Sequence, residues 1–142
     1  MTMTNLLFHE IHQKSRLSIK EVNEVLKEFN LYSAQWSILF CLNQFGSMTQ
    51  TAINQYLNVE APTVTRTLVK LENRQLIARK EGQDKRERIV HLTDSAKQLI
   101  PQIEKRVEEL EQKMLQELTV DERTQLSMLL KKISGSGDVH GR

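Results

Sequence analysis

Residues 49–93 read TQTAINQYLNVEAPTVTRTLVKLENRQLIARKEGQDKRERIVHLT. This segment begins with two short stretches whose apolar residues recur at helical spacing, separated by a break at Asn58 and Val59. Two extended runs follow, Leu76–Lys80 and Arg88–Leu92, and a polar turn joins them. The segment therefore predicts two short helices followed by a β-hairpin with a charged tip.

Each of these short helices has recognisable start signals. Thr49 is a good N-cap for a helix over Gln50–Leu57. Pro62 fits the first turn of a second helix over Ala61–Asn73, where a missing N–H costs nothing. The apolar stripe of the second helix consists of Val64, Leu68 and Leu71. The opposite face is predicted to carry Thr63, Arg66, Thr67 and Lys70, with Thr65 at its margin.

Positive charge is concentrated in the same part of the chain. Residues 61–92 contain eight basic and four acidic side chains, whereas residues 1–60 and residues 93–133 each carry a net charge of −1. Such a patch is expected of a protein that neutralises DNA phosphates, although charge alone fits a solvated basic face equally well. The hairpin tip holds Lys85, Arg86 and Arg88, with Asp84 beside them.

Two helices and a basic hairpin in this order predict a winged helix-turn-helix that binds double-stranded DNA. The second helix of such a pair fits the major groove, and the hairpin reaches the neighbouring backbone or the minor groove. Arg66 has the geometry to read a guanine through two hydrogen bonds, the threonines can contact bases or phosphates, and Lys70 can neutralise a phosphate.

Helices are predicted on both sides of this segment. Residues 4–29 form the first helix, ended by Asn30, and Ser33 caps the second, ended by Gly46. Thr93 caps the fifth helix. Its apolar residues, three and four apart, are Ala96, Ile100, Ile103, Val107, Leu110 and Met114. Thr119 caps a sixth helix with Leu126, Leu129, Leu130 and Ile133.

The expected fold is mostly α, with six helices and a small β-hairpin wing. One domain of this size could not cover the apolar residues of the last two helices, so a homodimer is predicted. We expect residues 1–32 and 94–134 to form the dimerisation region and residues 33–93 the DNA-binding region. Residues 135–142 are expected to form a mobile tail.

The run from Met48 to Arg79, MTQTAINQYLNVEAPTVTRTLVKLENRQLIAR, resembles the helix-turn-helix of the MarR family of transcription regulators. The following DKRERIVHLT, residues 84–93, is similar to that family's Asp-x-Arg wing and its Val-x-Leu-Thr strand. The resemblance in element order covers roughly residues 4–133. It implies an obligate dimer built by the first, fifth and sixth helices.

The resemblance also implies functional residues and partners. It implies Thr63, Thr65, Arg66 and Lys70 at the major groove, and Arg86 at the minor groove, braced by Asp84. The DNA site is expected to be a near-palindromic operator. Many members of the family lose DNA affinity when a small, often aromatic, anion binds between the dimerisation and DNA-binding parts, so such an effector is expected here too.

Two positions depart from the family pattern. Glu60 stands before the second helix of the pair, the one expected to enter the major groove, where Ser or Thr is common, and a carboxylate cannot donate to a phosphate. Gln75 stands after that helix where glycine is common. The helix end is therefore expected to be shaped by Asn73, which tolerates a left-handed backbone.

Several other side chains have a functional and a structural interpretation. Tyr32, Trp36 and Phe40 could line a ligand cavity where the second helix meets the first and fifth, although aromatics at helical spacing are more often core. Cys41 could be a redox-sensing thiol, but its apolar helix favours an inert, buried one.

His9 and His12 lie three residues apart on the first helix, yet no matching metal-ligand pattern accompanies them, so surface or interface histidines are favoured. No phosphate loop or nucleophilic triad is recognisable, which predicts a protein that is not an enzyme and has no cofactor or metal.

The predicted function is a transcription regulator, and a ligand- or signal-responsive repressor is favoured. An activator or an architectural DNA-binding protein without an effector has the same DNA-binding physics and stays open. A winged-helix module for protein contacts alone is disfavoured, because charged residues such as Arg66 and those of the wing are usually depleted from the core of a protein–protein interface. No membrane span or signal peptide is apparent, and a single cysteine fits a reducing compartment, so a bacterial cytoplasmic, nucleoid-associated protein is expected.

Overall fold

The structure is a computed structural model that describes residues 6–84 and 86–136. Within these ranges lie six α-helices and three strands, which confirms the predicted fold class. The helices are α1 (Leu7–Leu26), α2 (Ser33–Phe45), α3 (Gln50–Leu57), α4 (Ala61–Asn73), α5 (Asp94–Met114) and α6 (Val120–Lys132). The strands are β1 (Met48–Thr49), β2 (Ile77–Glu81) and β3 (Arg88–Leu92). None of the helices in the described part of the chain combines the length and the apolar character needed to span a membrane.

The first helix ends where its sequence predicts. A 3-10 turn, Lys27–Phe29, continues α1, and Asn30 then takes a left-handed conformation with φ of 56°. Asparagine tolerates this conformation better than most residues, because its short polar side chain can hydrogen-bond locally. The N–H of Leu31 reaches back to the Leu26 carbonyl at 3.1 Å, which closes the helix end.

The second helix starts differently from the prediction that Ser33 caps it. Tyr32 holds the N-cap position, and its backbone N–H donates to the side-chain oxygen of Gln35 at 2.9 Å. Ser33 is the first helical residue, and its own N–H donates to Asn23 Oδ1 of α1 at 2.7 Å. The first N–H groups of a helix have no partner within the helix, and here the side chain of Asn23, ten residues earlier, accepts from the Ser33 N–H. The helix ends at Gly46, as predicted.

The pair α3 and α4 matches its predicted bounds. The Thr49 hydroxyl accepts a hydrogen bond from the Ala52 N–H at 3.1 Å, so Thr49 caps α3 as expected. Asn58 turns the chain through a left-handed conformation, and α4 begins three residues later with Pro62 in its first turn. The side chains of Ile53, Val64, Leu68 and Leu71 are buried in the main core.

The end of α4 corrects the role that was predicted for Asn73. Asn73 is the last helical residue, and Gln75 is the one with a left-handed backbone, at φ of 58°. The N–H groups of Gln75 and Leu76 donate to the carbonyls of Glu72 and Leu71, at 2.9 and 3.0 Å. These two bonds give partners to carbonyls in the last turn of α4, and they form only when the residue two positions after the helix has a left-handed backbone. Gln75 therefore adopts a conformation that is more usual for glycine.

The wing is a three-stranded antiparallel sheet in the order β1-β3-β2. The hairpin strands are the predicted ones, with β2 starting and ending one residue later than expected. The sequence did not predict β1, whose residues Met48 and Thr49 pair with Val90 and Ile89 of β3. The sheet is thereby joined to the start of α3.

The described residues fall into two compact units that divide between Val107 and Glu108. In the first unit α5 starts at the Thr93 cap, whose hydroxyl accepts from the Ala96 N–H at 3.2 Å, and continues through Pro101. Four residues of its predicted stripe are buried: Ala96, Ile100, Ile103 and Val107.

The second unit contains the end of α5 and α6. Thr119 and Glu122 form a reciprocal capping box, which confirms the predicted cap. The Arg123 guanidinium donates to Gln112 Oε1 and to the Leu115 carbonyl. Large apolar side chains of this unit remain exposed: Met114, Val120, Leu126, Met128, Leu129, Leu130 and Ile133. The stripe predicted to pack along all of α5 is thus buried only in its first part.

The predicted separation of a dimerisation region from a DNA-binding region is a functional division and stays a prediction. Residues 1–5 and 137–142, the latter being most of the predicted mobile tail, lie outside the described residues.

Candidate nucleic-acid interface

The exposed face of α4 carries most of the side chains predicted to read DNA. Thr63, Thr65, Arg66 and Lys70 are all exposed on this helix. A terminal nitrogen of the Arg66 guanidinium lies 3.4 Å from the Thr63 hydroxyl, a long contact that leaves the fork available to other acceptors. The helix therefore presents an arginine, a lysine and two hydroxyls to solvent on one side.

Thr67 does not belong to this face, contrary to the prediction. Its side chain is only 9% exposed, and its hydroxyl donates to the Thr63 carbonyl at 2.9 Å. Thr67 lies three residues after Val64 and one before Leu68, which is the inward side of a helix with 3.6 residues per turn. A threonine there keeps its methyl group in the core and returns its hydroxyl to the backbone.

Gln50 is a functional candidate that the sequence did not single out. Its side-chain amide donates to the Thr65 hydroxyl at 2.6 Å, and that hydroxyl donates to the Ala61 carbonyl at 2.9 Å. The first residue of α3 thereby fixes the rotamer of a residue on α4. No local pattern signals a contact between positions 15 residues apart, so only the fold reveals it.

The wing tip is shaped by Asp84 in a way that differs from the predicted bracing. Its carboxylate accepts a hydrogen bond from the backbone N–H of Arg86 at 3.0 Å, so it holds the chain instead of the Arg86 side chain. The Glu87 N–H donates to the Asp84 carbonyl at 2.9 Å and closes the turn. Lys85, also predicted to bind DNA, lies outside the described residues.

Gly82 allows the two arms of the wing to approach each other. Its N–H donates to the Glu87 carbonyl at 3.1 Å, and a Cβ at this position would stand 2.9 Å from the Glu87 carboxylate. A larger residue would have to displace that side chain. The wing therefore keeps its narrow shape through backbone contacts, with Arg86 and Arg88 exposed.

A groove of about 570 Å³ separates the wing from the helix pair. Its lining comprises Thr49 of β1, Gln50, Thr51 and Asn54 of α3, Ala61 of α4, and Arg86, Glu87 and Arg88 of the hairpin. Asn54 Oδ1 is buried and has no hydrogen-bond partner among the described residues. Two arginines facing amides and hydroxyls suit a polyanion backbone, and Glu87 is the one carboxylate among the described lining residues.

Two basic residues of the charged segment are bonded to other groups of the protein. The Arg74 guanidinium donates to the carbonyls of Asn30 at 2.5 Å and Phe29 at 3.1 Å, at the end of the first helix. Arg79 pairs with Glu72 of α4 at 2.9 Å. The number of basic residues counted in residues 61–92 is therefore larger than the number whose side chains are free to contact a phosphate.

The aromatic trio of α2 is divided between core and surface. Trp36 is buried and packs edge-on against Phe40, with 6.0 Å between ring centroids. Tyr32 is 69% exposed, and Phe40 is partly exposed. A ligand cavity lined by the three stays a prediction.

The remaining candidates lie away from this interface. Cys41 is buried and its Sγ donates to the Ile38 carbonyl at 3.3 Å. Burial raises the pKa of the Cys41 thiol, which disfavours the reactive thiolate. His9 and His12 are exposed on α1, and His12 stacks on Phe8. Within the described ranges, His, Cys, Asp and Glu side chains form no group of three or more placed to hold a metal ion.

Known proteins share both the sequence pattern and the architecture. The model of the MarR family matches residues 31–87. The uncharacterised HTH-type transcriptional regulator YwoH of Bacillus subtilis is 43% identical over 125 residues, which are 88% of this chain and 91% of that protein.

Solved structures match over nearly the whole length. A mutant MarR from E. coli in complex with operator DNA is 26% identical with a TM-score of 0.83, covering 95% of this chain and all of that one. The regulator BldR from Sulfolobus solfataricus has the same identity and TM-score, and the match covers 94% of this chain and 100% of BldR.

Proposed function

This chain belongs to the MarR family of helix-turn-helix transcriptional regulators, and on that premise we propose that it acts as a homodimeric repressor which a ligand or another signal releases from its operator. Like the members of its family, it binds DNA and regulates transcription, and it is not an enzyme. The proposal concerns its direction of regulation, its partners and the residues that act.

One observation carries the assignment of DNA-contacting residues. Arg66 of α4 and the two wing arginines, Arg86 and Arg88, are exposed in the same unit, and a groove separates the wing from the helix pair. In this proposal Thr63, Thr65, Arg66 and Lys70 enter the major groove. Arg86 enters an adjacent minor groove, where narrow A·T-rich DNA concentrates negative potential.

The operator follows from the symmetry of the proposed dimer. Two copies related by a two-fold axis bind two half-sites on one face of the DNA, about one helical turn or 34–36 Å apart. The site is then near-palindromic. E. coli MarR has been crystallised with operator DNA, which supports repression as the mode of regulation. We place the protein in the cytoplasm, with a small aromatic or anionic molecule as the releasing ligand.

In vitro transcription from a promoter that carries a selected site tests this proposal. The site is first enriched from random duplexes and then placed across the promoter. We expect the wild-type protein to lower transcription, and Arg66→Ala to lose about 1–3 kcal/mol of binding on the selected site while losing less on a scrambled duplex. Gln44→Ala, at an exposed position of α2 outside the expected DNA contacts and the dimerisation region, is the control and retains repression.

Each alternative corresponds to a different outcome. Increased transcription would make the protein an activator, and binding without any change would make it architectural. An equal loss for Arg66→Ala on both duplexes would assign Arg66 to phosphate contact instead of base reading. Absence of binding to every duplex at low salt would refute the DNA-binding role itself.

A further inference from the structure

Thr65, on the exposed face of α4, has a side chain whose hydroxyl is already bonded within the protein. The hydroxyl donates its proton to the Ala61 carbonyl at 2.9 Å and accepts a hydrogen bond from Gln50 Nε2 at 2.6 Å. A hydroxyl has one proton and two lone pairs, so these bonds leave one lone pair for any other partner. While both contacts last, Thr65 therefore has no proton to donate to a base edge or a phosphate.

The other two threonines of α4 that were predicted to contact DNA are bonded differently. In the described part of the chain, the Thr63 hydroxyl has one hydrogen bond, the long contact from Arg66 at 3.4 Å, so its proton stays available. Thr67 also donates its hydroxyl to a backbone carbonyl, but its side chain is buried. Of these three threonines, Thr65 alone combines an exposed side chain with a hydroxyl whose proton is engaged.

The orientation of the Thr65 side chain depends on a residue of the other helix. A threonine in a helix divides between two χ1 rotamers, and the hydroxyl and the methyl group stand in different positions in each. The Gln50 amide bonds the hydroxyl in one of these rotamers, so it stabilises one position of the methyl group. The first residue of α3 thereby determines where α4 presents that methyl group.

A methyl group presented to the major groove distinguishes one base from the others. Among the four bases only thymine carries a C5-methyl group there, and the methyl group of threonine is one of the apolar groups that contact it. We propose that Thr65 reads a thymine in each half-site through its methyl group, and that Gln50 is the positioning residue that holds this methyl group in place. The inference rests on the proposed function, because it requires Thr65 in the major groove.

Replacement of thymine by deoxyuridine tests the inference, because it removes the C5-methyl group and leaves the base pair intact. Duplexes of the selected site receive this replacement at one symmetric pair of thymines at a time, and fluorescence anisotropy gives the ratio of the two dissociation constants. At one pair of positions we expect about fourfold weaker binding per half-site, which is the contribution of one buried methyl group. Because both duplexes are measured with the same preparation, the ratio does not depend on the fraction of active protein.

Substitutions at position 65 separate the methyl group from the hydroxyl. Thr65→Ser keeps the hydroxyl and removes the methyl group, so the loss at that pair of positions should disappear. Thr65→Val keeps a methyl group and replaces the hydroxyl with a second one, so the loss should remain.

Substitution of Gln50 tests the positioning role. Gln50→Ala releases the Thr65 rotamer, so the fourfold loss should fall to about twofold as the side chain divides between its two rotamers. In the Thr65→Val background no hydroxyl is left to orient, and Gln50→Ala should leave the loss unchanged. Gln55→Ala is the matched control, since it truncates an exposed amide of α3 that does not line the groove, and it should give the wild-type ratio.

The outcomes distinguish this inference from the proposed function. Equal affinity for thymine and deoxyuridine at every position would overturn the inference, and a retained preference for the selected site over a scrambled duplex would leave the DNA-binding role intact. A loss that persists in Thr65→Ser would assign the methyl contact to another residue and would overturn it as well. A wild-type ratio in Gln50→Ala would refute the positioning role of Gln50.

Discussion

Gln75 keeps a backbone conformation that is unfavourable for a residue with a side chain. At φ of 58° its Cβ crowds the following carbonyl, which costs roughly 1 kcal/mol relative to glycine. The conformation persists because it closes the end of α4, and because the Thr93 hydroxyl donates to the Gln75 carbonyl at 2.7 Å. That same hydroxyl caps α5, so one threonine serves two helix ends.

Gln75→Gly is therefore expected to stabilise the protein. The relief of strain exceeds the added entropy of the unfolded chain, and we expect a gain of about 0.5 kcal/mol in the free energy of unfolding. Urea denaturation at a fixed protein concentration measures it. Asn73→Gly, at the last residue of α4 where the backbone is still helical, should bring no such gain. A lower unfolding free energy for Gln75→Gly would show that the glutamine side chain itself stabilises this turn.

The wing depends on its turn more than on packing. Between Glu81 and Arg88 the sequence is polar throughout, and the tip is held by the Asp84 carboxylate on the Arg86 N–H and by the Gly82–Glu87 bond. We therefore expect Asp84 to have two opposite effects on DNA binding. Its charge should repel phosphates, and its hydrogen bond to the Arg86 N–H should preorganise Arg86.

Two substitutions at this position separate these effects. Asp84→Asn retains a side-chain oxygen acceptor and removes the charge, so operator affinity should stay equal or rise. Asp84→Ala removes both, and we expect about tenfold weaker binding, because the Arg86 N–H loses its partner. Fluorescence anisotropy at two salt concentrations measures both variants. Tighter binding by Asp84→Ala at every salt concentration would mean that the wing acts only as a basic patch.

Arg74 anchors the C-terminal end of α4. The planar guanidinium reaches two carbonyls at the end of the first helix, and Glu28 in the preceding 3-10 turn is bonded to Arg106 of α5, with 3.0 Å between Arg106 Nε and Glu28 Oε2. The Arg106 hydrogen bond holds the pKa of Glu28 below its usual range. Through these contacts the end of α4 is linked to the end of the first helix, and that segment is linked to α5. We expect Arg74 to help fix the direction in which α4 points.

Arg74→Lys should loosen the preferred spacing between half-sites. A single ammonium cannot satisfy two carbonyls in the fixed geometry of a guanidinium. We expect about tenfold lower affinity at the best spacing and a smaller loss at spacings one base pair shorter or longer. Selection from duplexes with variable spacers measures the distribution. An equal loss at every spacing would indicate simple destabilisation.

The helices were predictable because caps and apolar periodicity are local signals. Thr49, Thr93 and Thr119 all cap as expected. The spacing of Thr67 from Val64, Leu68 and Leu71 follows the i, i+3, i+4, i+7 pattern of a buried helix face. Its burial could have been predicted from this spacing, but threonine is polar and was therefore assigned to the exposed face. The two-residue strand β1 is too short to show alternation.

The contacts that position the candidate site had no local signal. Gln50 bonds to Thr65 and Ser47 to His91 across 15 and 44 positions, and the tertiary fold alone brings them together. The bond from Ser33 to Asn23 is of the same kind, which is why the cap of α2 was predicted wrongly.

The second unit exposes more apolar surface than a solvated protomer favours. Six large apolar side chains of α6 and its end are between 43% and 75% exposed. Several large apolar side chains exposed on one short helix favour an interaction site, and a second copy of the chain is the partner in the proposed dimer.

Leu129→Glu should dissociate that dimer. The substitution removes about 1.5–3 kcal/mol of apolar burial per copy and places a carboxylate in the interface. Sedimentation equilibrium at micromolar concentration should give a monomer mass for this variant and a dimer mass for the wild type. Gln125→Glu adds the same charge at an exposed polar position of α6 and should remain dimeric. A wild-type monomer at this concentration would contradict the dimer.

The two-residue strand β1 couples the local unfolding of the wing to that of α3. Met48 and Thr49 are paired to β3, and Thr49 also caps α3, so opening one of these contacts releases the other. The backbone amides of β3 and of the first turns of α3 should then exchange with deuterium as one cooperative unit, with equal opening free energies. Thr49→Val keeps the pairing and removes the cap, and should split that unit in two.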